Sequence, residues 1–407
     1  MWATPFPRFL GVLRQLVSGV QRRSAVANLS PISQRPHSEL VAGRYELVEL
    51  LGEGGMGAIW RARHVALQAP VAIKFLRSDQ ASGELAERLL REARAVAKLG
   101  HPAIVRVTDF GETSAGAPFL VMELLHGQSL ARLLEREGPI SAERAVQMLL
   151  PIADALMVAH RKSIVHRDLK PDNVFLALQC HGVQPKLLDF GIVKLEPNRR
   201  RRRLTQTGMV VGSPNYMSPE QAWGDENLDY RSDIWSFCVM LYEVITGRLP
   251  FYASSYEAQL RAIVEQPLER VGIEDDKLWA ILERGLAKDK DQRFPSMSKL
   301  GQELASWLLE RGVPQDICGD HLETRWLVPS LRPPLPSFDV VPQPEPRLRR
   351  IEQVLPPVIA AIGLAALAAI GAAAWFESEP DHHAAPTKPQ VPVKPAEPGE
   401  PPTVVAY

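Results

Sequence analysis

The chain has 407 residues, with 47 basic and 47 acidic side chains and a formal net charge of zero. This balance gives no overall basis for binding nucleic acid, because such proteins usually carry a basic surface. The three cysteines are too few and too scattered for a disulfide framework or a zinc site, as expected in a reducing compartment. The length allows one sizeable domain with tails.

The first 42 residues are predicted to be a disordered N-terminal segment. Residues 1–40 hold five arginines, one acidic residue and a short apolar pattern over residues 9–20. Arg14 interrupts this pattern, which argues against a cleaved signal peptide. An amphipathic surface helix is the alternative interpretation.

A glycine-rich loop lies between two strand-like runs, residues 45–51 and 58–63. Gly52, Gly54 and Gly57 form the pattern G-x-G-x-x-G. Glycine lets backbone N–H groups approach phosphates where a Cβ atom would collide. The same pattern binds dinucleotides when a helix follows it, but here a strand follows. The loop therefore predicts a nucleotide phosphate site.

A lysine and a glutamate follow in positions that allow an ion pair. The strand-like run at residues 71–74 ends in Lys74, whose charge suits the α and β phosphates of a nucleotide. An amphipathic helix pattern over residues 83–99 places Glu92 beside its apolar face. We predict that Glu92 pairs with Lys74, although most helix glutamates are simply solvated.

Residues 166–173, with the sequence His-Arg-Asp-Leu-Lys-Pro-Asp-Asn, carry polar side chains at the spacing that phosphoryl transfer to a hydroxyl requires. Asp168 can accept the proton of the attacking hydroxyl, and Asn173 can hold a metal ion on the nucleotide phosphates. Asp189, in an Asp-Phe-Gly motif after the strand-like run at residues 185–188, supplies a second metal ligand. A polar loop is the alternative for any one of these motifs taken alone.

These motifs, in this order and with Ser-Pro-Glu at residues 218–220, resemble a Ser/Thr protein kinase of the bacterial eukaryote-like group over residues 43–311. The resemblance implies an α+β bilobal protein kinase fold, with a small β-rich N-terminal lobe and a larger helical C-terminal lobe. It also implies ATP, Mg²⁺ with Mn²⁺ as an alternative, and protein substrates. A membrane-anchored pseudokinase scaffold without turnover is the competing interpretation, and the intact Lys74, Asp168 and Asp189 argue against it.

The resemblance also assigns roles in nucleotide binding. Lys170 resembles the lysine that Ser/Thr kinases aim at the γ-phosphate, where positive charge stabilises the transition state. Glu123 and Leu125 resemble hinge residues whose backbone groups bond adenine. The predicted nucleotide-binding residues are Leu51, Gly52, Gly54, Gly57, Ile59, Ala72, Lys74, Glu123, Leu125 and Phe175. Ordinary core packing is the alternative role for the apolar members.

Three further residues resemble scaffold rather than reacting groups. Asp233 resembles the buried aspartate that caps the catalytic loop of the family. Arg293 resembles the partner of Glu220, and a buried pair of this kind is costly to break on one side only.

The segment between Asp189 and Glu220 is the predicted activation segment. Thr205 and Thr207 resemble the threonines that bacterial kinases of this group phosphorylate on themselves, and Arg167 is a cation able to receive a phosphothreonine. We therefore predict autophosphorylation there, with unmodified loop threonines as the alternative. The five consecutive arginines at residues 199–203 are interpreted first as a solvated charge run, with membrane or phosphate contact second.

Residues 354–376 form an uncharged apolar run that would be about 34 Å long as a helix, enough to cross a bilayer. Three arginines shortly precede it and acidic residues follow it, so the positive-inside bias predicts a single-pass protein of the inner (plasma) membrane with a cytoplasmic kinase domain. Alanines recur at every fourth position, which suggests helix pairing and a homodimer as a hypothesis.

Proline-rich sequence flanks this predicted transmembrane helix on both sides. Residues 312–353 are predicted to be a juxtamembrane linker, because prolines at this density favour an extended chain. Residues 377–407 are predicted to be a disordered extracytoplasmic tail, since they hold almost no large apolar side chains to bury.

Overall fold

The computed structural model describes residues 40–54, 57–76, 94–114, 116–180, 182–190, 214–225 and 227–328. All of these residues belong to one compact unit. A lobe made mainly of strands comes first in this unit, and a larger lobe made mainly of helices follows. This arrangement agrees with the α+β, two-lobed architecture predicted from the sequence.

The N-terminal lobe is built on an antiparallel sheet of six strands. They are β1 (Leu40–Val41), β2 (Tyr45–Gly54), β3 (Gly57–His64), β4 (Ala69–Leu76), β5 (Val107–Glu112) and β6 (Pro118–Glu123). Their order in the sheet is β1-β2-β3-β4-β6-β5. Residues 94–97, between β4 and β5, are helical.

The side chains of β4 alternate between the core of this lobe and the cleft between the lobes. Successive side chains on a strand point to opposite faces of the sheet. Ile73 and Phe75 join the buried core of the N-terminal lobe, in which Trp60 is the largest side chain. Ala72 instead joins a different apolar cluster, with residues of the C-terminal lobe. Lys74 shares the face of Ala72, so the strand delivers its ammonium group to the space between the lobes.

The C-terminal lobe contains seven α-helices among the described residues. They are α1 (Leu130–Glu137), α2 (Ala142–Arg161), α3 (Pro219–Trp223), α4 (Arg231–Thr246), α5 (Tyr256–Glu265), α6 (Asp276–Gly285) and α7 (Met297–Leu309). A small antiparallel sheet consists of β7 (Gly127–Ser129), β8 (Val174–Gln179) and β9 (Gly182–Leu187), in the order β7-β8-β9. Short 3₁₀ turns cover Pro171–Asn173, Pro214–Tyr216 and Lys290–Gln292, and a π-helical turn covers Glu323–Leu327.

Helices α2 and α4 form the centre of this lobe. Both are buried around most of their circumference, which explains why their sequences are apolar on several faces rather than on one stripe. Ser141 caps the start of α2 by accepting a hydrogen bond from the Arg144 N–H. Polar side chains inside these helices, such as Asp154 and Asp233, are therefore buried and need specific partners.

The folded chain extends past both boundaries of the predicted domain at residues 43–311. At the N-terminal end, Leu40 and Val41 pair with β2, within the segment predicted to be disordered. At the C-terminal end, residues 312–328 lie in the predicted linker, yet Leu322 and Trp326 are fully buried against the C-terminal lobe. The linker prediction therefore differs from the structure over these residues, because two large apolar side chains gain burial that the surrounding composition did not suggest.

Among the residues that the structure describes, no helix combines the length and the apolar character that a bilayer crossing needs. The predicted transmembrane helix at residues 354–376 lies outside the described residues. The rest of the predicted linker, the C-terminal tail and residues 1–39 also lie outside them.

Candidate functional site

Asp233 holds the loop at residues 166–173 in place. Its side chain, buried in α4, accepts hydrogen bonds from the backbone N–H groups of His166 and Arg167, both at 2.8 Å. His160 Nε2 lies 2.7 Å from the same carboxylate. Arg167 has a φ of 65°, a left-handed conformation that non-glycine residues seldom adopt without such support. The geometry agrees with the capping role predicted for Asp233.

The charge on Asp233 is set by its hydrogen bonds. Burial alone disfavours the charged form, but the hydrogen bond from His160 and the donors of the loop outweigh it and hold the pKa of Asp233 below its usual value. The group therefore stays a carboxylate near neutral pH, when it accepts hydrogen bonds most strongly.

Asn173 and Asp168 face each other across the loop. Asn173 ends the 3₁₀ turn Pro171–Asn173, and its Nδ2 donates to the Asp168 backbone oxygen at 2.7 Å. The same nitrogen lies 3.3 Å from Asp168 Oδ2. Since the amide nitrogen of Asn173 is turned toward Asp168, its Oδ1 is the atom presented elsewhere, and an amide oxygen is a suitable Mg²⁺ ligand.

His166 connects this loop to the segment that carries Asp189. Its Nε2 lies 2.9 Å from the Leu188 carbonyl oxygen, which can only accept, so Nε2 carries the proton. Its Nδ1 then accepts the N–H of Asp168, at 3.3 Å. Asp189 follows with a φ of 42°, and Lys74 Nζ lies 2.5 Å from its Oδ2. One imidazole ring therefore fixes the relative position of the two predicted catalytic motifs.

Lys74 has Asp189 as its partner among the described residues. The predicted partner, Glu92, lies outside them. Lys74 is buried to 7% exposure, so its ammonium group needs a nearby anion such as this carboxylate.

The donor set fits Mg²⁺ bound together with a nucleotide. Asn173 supplies an amide oxygen and Asp189 a carboxylate, while Mg²⁺ usually takes one or two protein ligands and fills its octahedron with phosphates and water. Within the described part of the chain, no cluster of three or more His, Cys, Asp or Glu side chains forms a metal site. The fit therefore depends on nucleotide phosphates as ligands.

An apolar cluster between the lobes collects the residues predicted to hold adenine. Ala72, Phe175, Met122 and Leu125 are buried in it, and Ile59 packs against it. In the sheet, Ile59 pairs directly with Lys74. The structure thus brings the predicted apolar contacts together beside the lysine predicted to hold the phosphates.

Glu123, at the end of β6, anchors the hinge between the lobes. Its backbone N–H donates to the Arg106 oxygen at 3.0 Å, so the predicted adenine contact of Glu123 is restricted to its carbonyl group. Its side-chain Oε1 accepts from the Arg106 N–H at 2.8 Å and from Lys186 Nζ at 2.7 Å. Sequence reasoning missed Lys186, whose only signal is a charged residue within the run that forms β9.

The glycine-rich loop joins β2 and β3. A register shift between Leu50 and Gly52 allows Gly52 to pair with Ile59, and Gly54 pairs with Gly57 at the end of the ladder. Gly57 has a φ of 143°, which side chains other than hydrogen rarely permit. The tip, residues 55–56, lies outside the described residues. Leu51, predicted to contact the nucleotide, is half-buried in β2.

Of the remaining residues with predicted roles, Lys170 and Arg167 belong to the catalytic loop itself. Lys170 has an extended backbone, φ −161°, and stands immediately before the turn that ends in Asn173. Thr205, Thr207 and the five arginines lie outside the described residues. The Nε atom of Arg167 is buried and has no hydrogen-bond partner among the described residues.

Two contacts hold the end of the predicted activation segment in place. Arg293 makes two hydrogen bonds of 2.8 Å to the Glu220 carboxylate, and both residues are buried. Burial opposes the charge, but the bond from Arg293 holds the pKa of Glu220 below its usual value. Gln221 Nε2 donates to the Arg167 backbone oxygen at 3.0 Å. This second contact, which the motifs did not reveal, joins the activation segment to the catalytic loop.

Comparisons with known proteins point to one family. The protein kinase domain family matches residues 45–317. The serine/threonine-protein kinase pkn2 of Myxococcus xanthus is 40% identical over 278 residues, which are 67% of this chain and 33% of pkn2. The serine/threonine-protein kinase PknB of Mycobacterium tuberculosis is 38% identical over 273 residues, which are 65% of this chain and 43% of PknB.

A solved structure gives the same result for the fold. The PknI kinase domain of Mycobacterium tuberculosis superposes with a TM-score of 0.53 at 25% identity, covering 67% of this chain and 98% of that domain. The similarity to pkn2 and PknB is confined to the kinase domain, and the chain spans less than half of their length. The two-lobed unit therefore has the protein kinase fold.

Proposed function

Because the chain belongs to the protein kinase family, with relatives of the bacterial serine/threonine type, we propose that it transfers the γ-phosphate of ATP to serine or threonine hydroxyls of protein substrates. The observation that carries the proposal is the linkage of Asp168 and Asp189 through the ring of His166, with Lys74 on the second carboxylate. This arrangement supports the assignment of a base, a metal ligand and a cation to one cleft.

Each side chain has a defined task in the proposed reaction. The Asp168 carboxylate orients the substrate hydroxyl and takes its proton, while Asn173 holds Asp168 in position. Lys74 and Lys170 place positive charge at the phosphates, where charge develops in the transition state. Bound Mg²⁺ would be held by Asn173 and Asp189 and would supply further neutralisation of phosphate charge.

The test compares wild type with Asp168→Asn in the full chain, with labelled Mg-ATP and a mixed protein substrate. We expect the variant to lose about 10²-fold or more in rate, the usual effect of removing a general base. Asp276→Asn is the matched control, since this carboxylate is 92% exposed and far from the catalytic loop in sequence. Equal transfer by wild type and Asp168→Asn would reject the proposal. ATP binding without transfer by the wild type would favour the pseudokinase scaffold instead.

We further propose that the protein activates itself by phosphorylation of Thr205 and Thr207. The buried Nε of Arg167 supports this proposal, because an N–H group without a partner beside the catalytic aspartate could donate to a phosphate. Intact-mass and peptide analysis should find phosphate on these threonines in wild type and none in Asp168→Asn. Active wild-type protein with neither threonine modified would reject the autophosphorylation step.

We also propose that residues 354–376 anchor the protein in the inner (plasma) membrane, with its kinase domain in the cytoplasm. The support is the uncharged apolar run in the sequence. Wild type should remain with membranes after alkaline extraction, while the double variant Leu364→Arg and Leu367→Arg should be released. Release of both proteins would reject the anchor. Large residues at Ala365 and Ala369 would test the proposed homodimer by abolishing self-association in membranes.

A further inference from the structure

Residues 313–328, which we call the C-terminal strap, form a folded extension of the kinase domain. The strap leaves α7 with a hydrogen bond from the Val313 N–H to the Leu308 oxygen, at 3.1 Å. It then contacts α2, where Gln147 Nε2 donates to the Gln315 oxygen at 2.9 Å. The family match ends at residue 317, so the second half of the strap lies beyond it.

Trp326 fixes the strap to the lobe. Its indole is buried and lies directly on α7 at Gly301, where an added Cβ atom would come within 2.0 Å of the ring. Only a glycine at this helical position leaves room for the aromatic ring. The strap is therefore seated in a fitted groove, and the side chain next to Trp326 has a defined direction.

That neighbouring side chain, Arg325, reaches a buried carboxylate in the centre of the lobe. Its Nε donates to Asp154 Oδ2 at 2.8 Å, and its terminal nitrogen contacts the same oxygen. His101 Nε2 lies 3.0 Å from this oxygen as well. His101 Nδ1 accepts the N–H of Ala103 at 3.1 Å, so Nε2 carries the proton that is donated to Asp154.

Arg325 balances the charge of this cluster. Burial disfavours the ionised form of Asp154, but His101 and Arg325 outweigh burial and hold the pKa of the carboxyl below its usual value. Without Arg325, the buried carboxylate would lose a charged partner, which is costly. The Asp154 side chain would then be free to shift, and with it the His101 ring whose Nδ1 accepts the Ala103 N–H.

The loop that His101 organises holds the end of β9. The Ala103 oxygen accepts the Leu187 N–H at 2.8 Å, and the Val105 N–H donates to the Leu187 oxygen at 3.0 Å. Two residues later in the chain is Asp189. A continuous series of hydrogen bonds therefore runs from the strap, through α2 and this loop, to the strand that delivers the predicted metal ligand.

We propose that Arg325 is a positioning residue that fixes the end of β9, and with it the carboxylate of Asp189, by acting through Asp154 and His101. The inference rests on the proposed function for the metal role of Asp189. It makes the segment beyond the family match part of the catalytic unit. It also ties the chain that leads toward residues 354–376 to the nucleotide site.

The first test measures the Mg²⁺ concentration that gives half-maximal rate in the full chain, at saturating ATP and protein substrate. Arg325→Gln should raise this concentration about threefold to tenfold, somewhat less than the loss seen when a direct partner of a metal ligand is removed. Arg325→Lys should recover part of the shift, because it restores the charge. Arg311→Gln is the matched control, since it breaks another Arg–carboxylate pair, with Asp275, in the same lobe. It should leave the midpoint unchanged.

The second test needs no activity. In protein free of nucleotide and metal, amide hydrogen exchange at Ala103 and Leu187 should be faster in Arg325→Gln than in wild type or Arg311→Gln. In an Asp154→Asn background, Arg325→Gln should add little further change at these amides, because the two side chains act in one series.

The outcomes separate the two proposals. If Arg325→Gln lowers the rate with an unchanged Mg²⁺ midpoint, or behaves like Arg311→Gln at both amides, Arg325 is only a stabilising residue and the inference is rejected. A wild type inactive with Mg-ATP rejects the proposed function instead, and the exchange measurement still decides whether the strap controls the end of β9.

Discussion

Two buried aspartates, Asp233 in α4 and Asp154 in α2, are both stabilised as carboxylates, but by different hydrogen-bond partners. Each has a histidine on one oxygen, His160 at 2.7 Å and His101 at 3.0 Å. Asp233 completes its set with two backbone N–H groups of the catalytic loop. Asp154 instead binds the guanidinium group of Arg325. One carboxylate organises a loop, and the other joins side chains from distant segments.

The different partners determine which changes can break the hydrogen bonds of each cluster. Backbone donors cannot be removed by substitution, so the contacts between Asp233 and the catalytic loop can be broken by substitution only at the aspartate itself. The Asp154 cluster depends on a cation from a separate segment, 171 residues away in sequence. A cluster of the second kind can be altered by anything that moves the strap, which makes it the more adjustable of the two.

The largest effect is expected from Asp233→Asn. Asparagine has one acceptor oxygen where aspartate has two, so its amide nitrogen would face buried N–H groups of the catalytic loop and leave them without an acceptor. We expect a loss of about 3–5 kcal/mol in the free energy of unfolding, as for other broken buried pairs, and loss of phosphate transfer. Urea unfolding and the Mg-ATP assay measure the two effects. A variant with wild-type stability would show that Asp233 is not the anchor of the loop.

A smaller effect is expected from Asp154→Asn, which tests the second cluster in the same way. The strap lies at the edge of the lobe, so water can reach the donors that lose the Asp154 carboxylate. The loss should therefore be about 2 kcal/mol in the free energy of unfolding. Urea unfolding of Asp154→Asn and Asp233→Asn compares the losses in free energy of unfolding at the two clusters. Equal losses would mean that the strap is as rigidly built as the catalytic loop.

Gly301→Ala tests the seating of the strap without changing any charge. The new methyl group would collide with Trp326, and overpacking costs about 1–3 kcal/mol. Better helix propensity returns up to about 1 kcal/mol, so the net loss in the free energy of unfolding should be about 1–2 kcal/mol. Adding Trp326→Leu should relieve the collision, and the double variant should lose less than the sum of the single changes. Additive losses would place the ring away from Gly301.

The contrast between the clusters also explains what the sequence could predict. Asp168, Asn173, Asp189 and Asp233 belong to short motifs whose spacing carries the chemistry, and the structure brings them together. Arg325 and Asp154 form no motif, because their contact depends on how the strap crosses α2. The folding of the strap could not be predicted from composition either, since its few apolar residues stand beside a proline-rich segment.

Asp316, in the strap, is expected to show the smallest effect and the opposite sign of pH dependence. Its Oδ1 accepts the N–H groups of Cys318 at 2.8 Å and Asp320 at 3.0 Å. Burial is the largest influence on it and raises the pKa of Asp316 to about 6, above its ordinary value of 3.8. In contrast, the pKa of Asp154 is lowered, so the stability it contributes is lost only as the pH falls below about 4.

The sign for Asp316 follows from proton counts. Between about pH 4 and pH 6 the folded protein keeps a proton on Asp316 that the unfolded chain has lost, so the stability contributed by this group falls as the pH rises through that range. Asp316→Asn retains an Oδ1 acceptor for both N–H groups and removes the titration. Its stability relative to wild type should therefore rise by about 1 kcal/mol between pH 5 and pH 8. Urea unfolding of both proteins at the two pH values measures this difference, and Asp276→Asn, which changes a carboxylate that is 92% exposed, is the control. A difference that is flat, or that falls with pH, would show that Asp316 is ionised in the folded protein at low pH, and that the donors of the strap stabilise its carboxylate as fully as the donors around Asp233 stabilise that group.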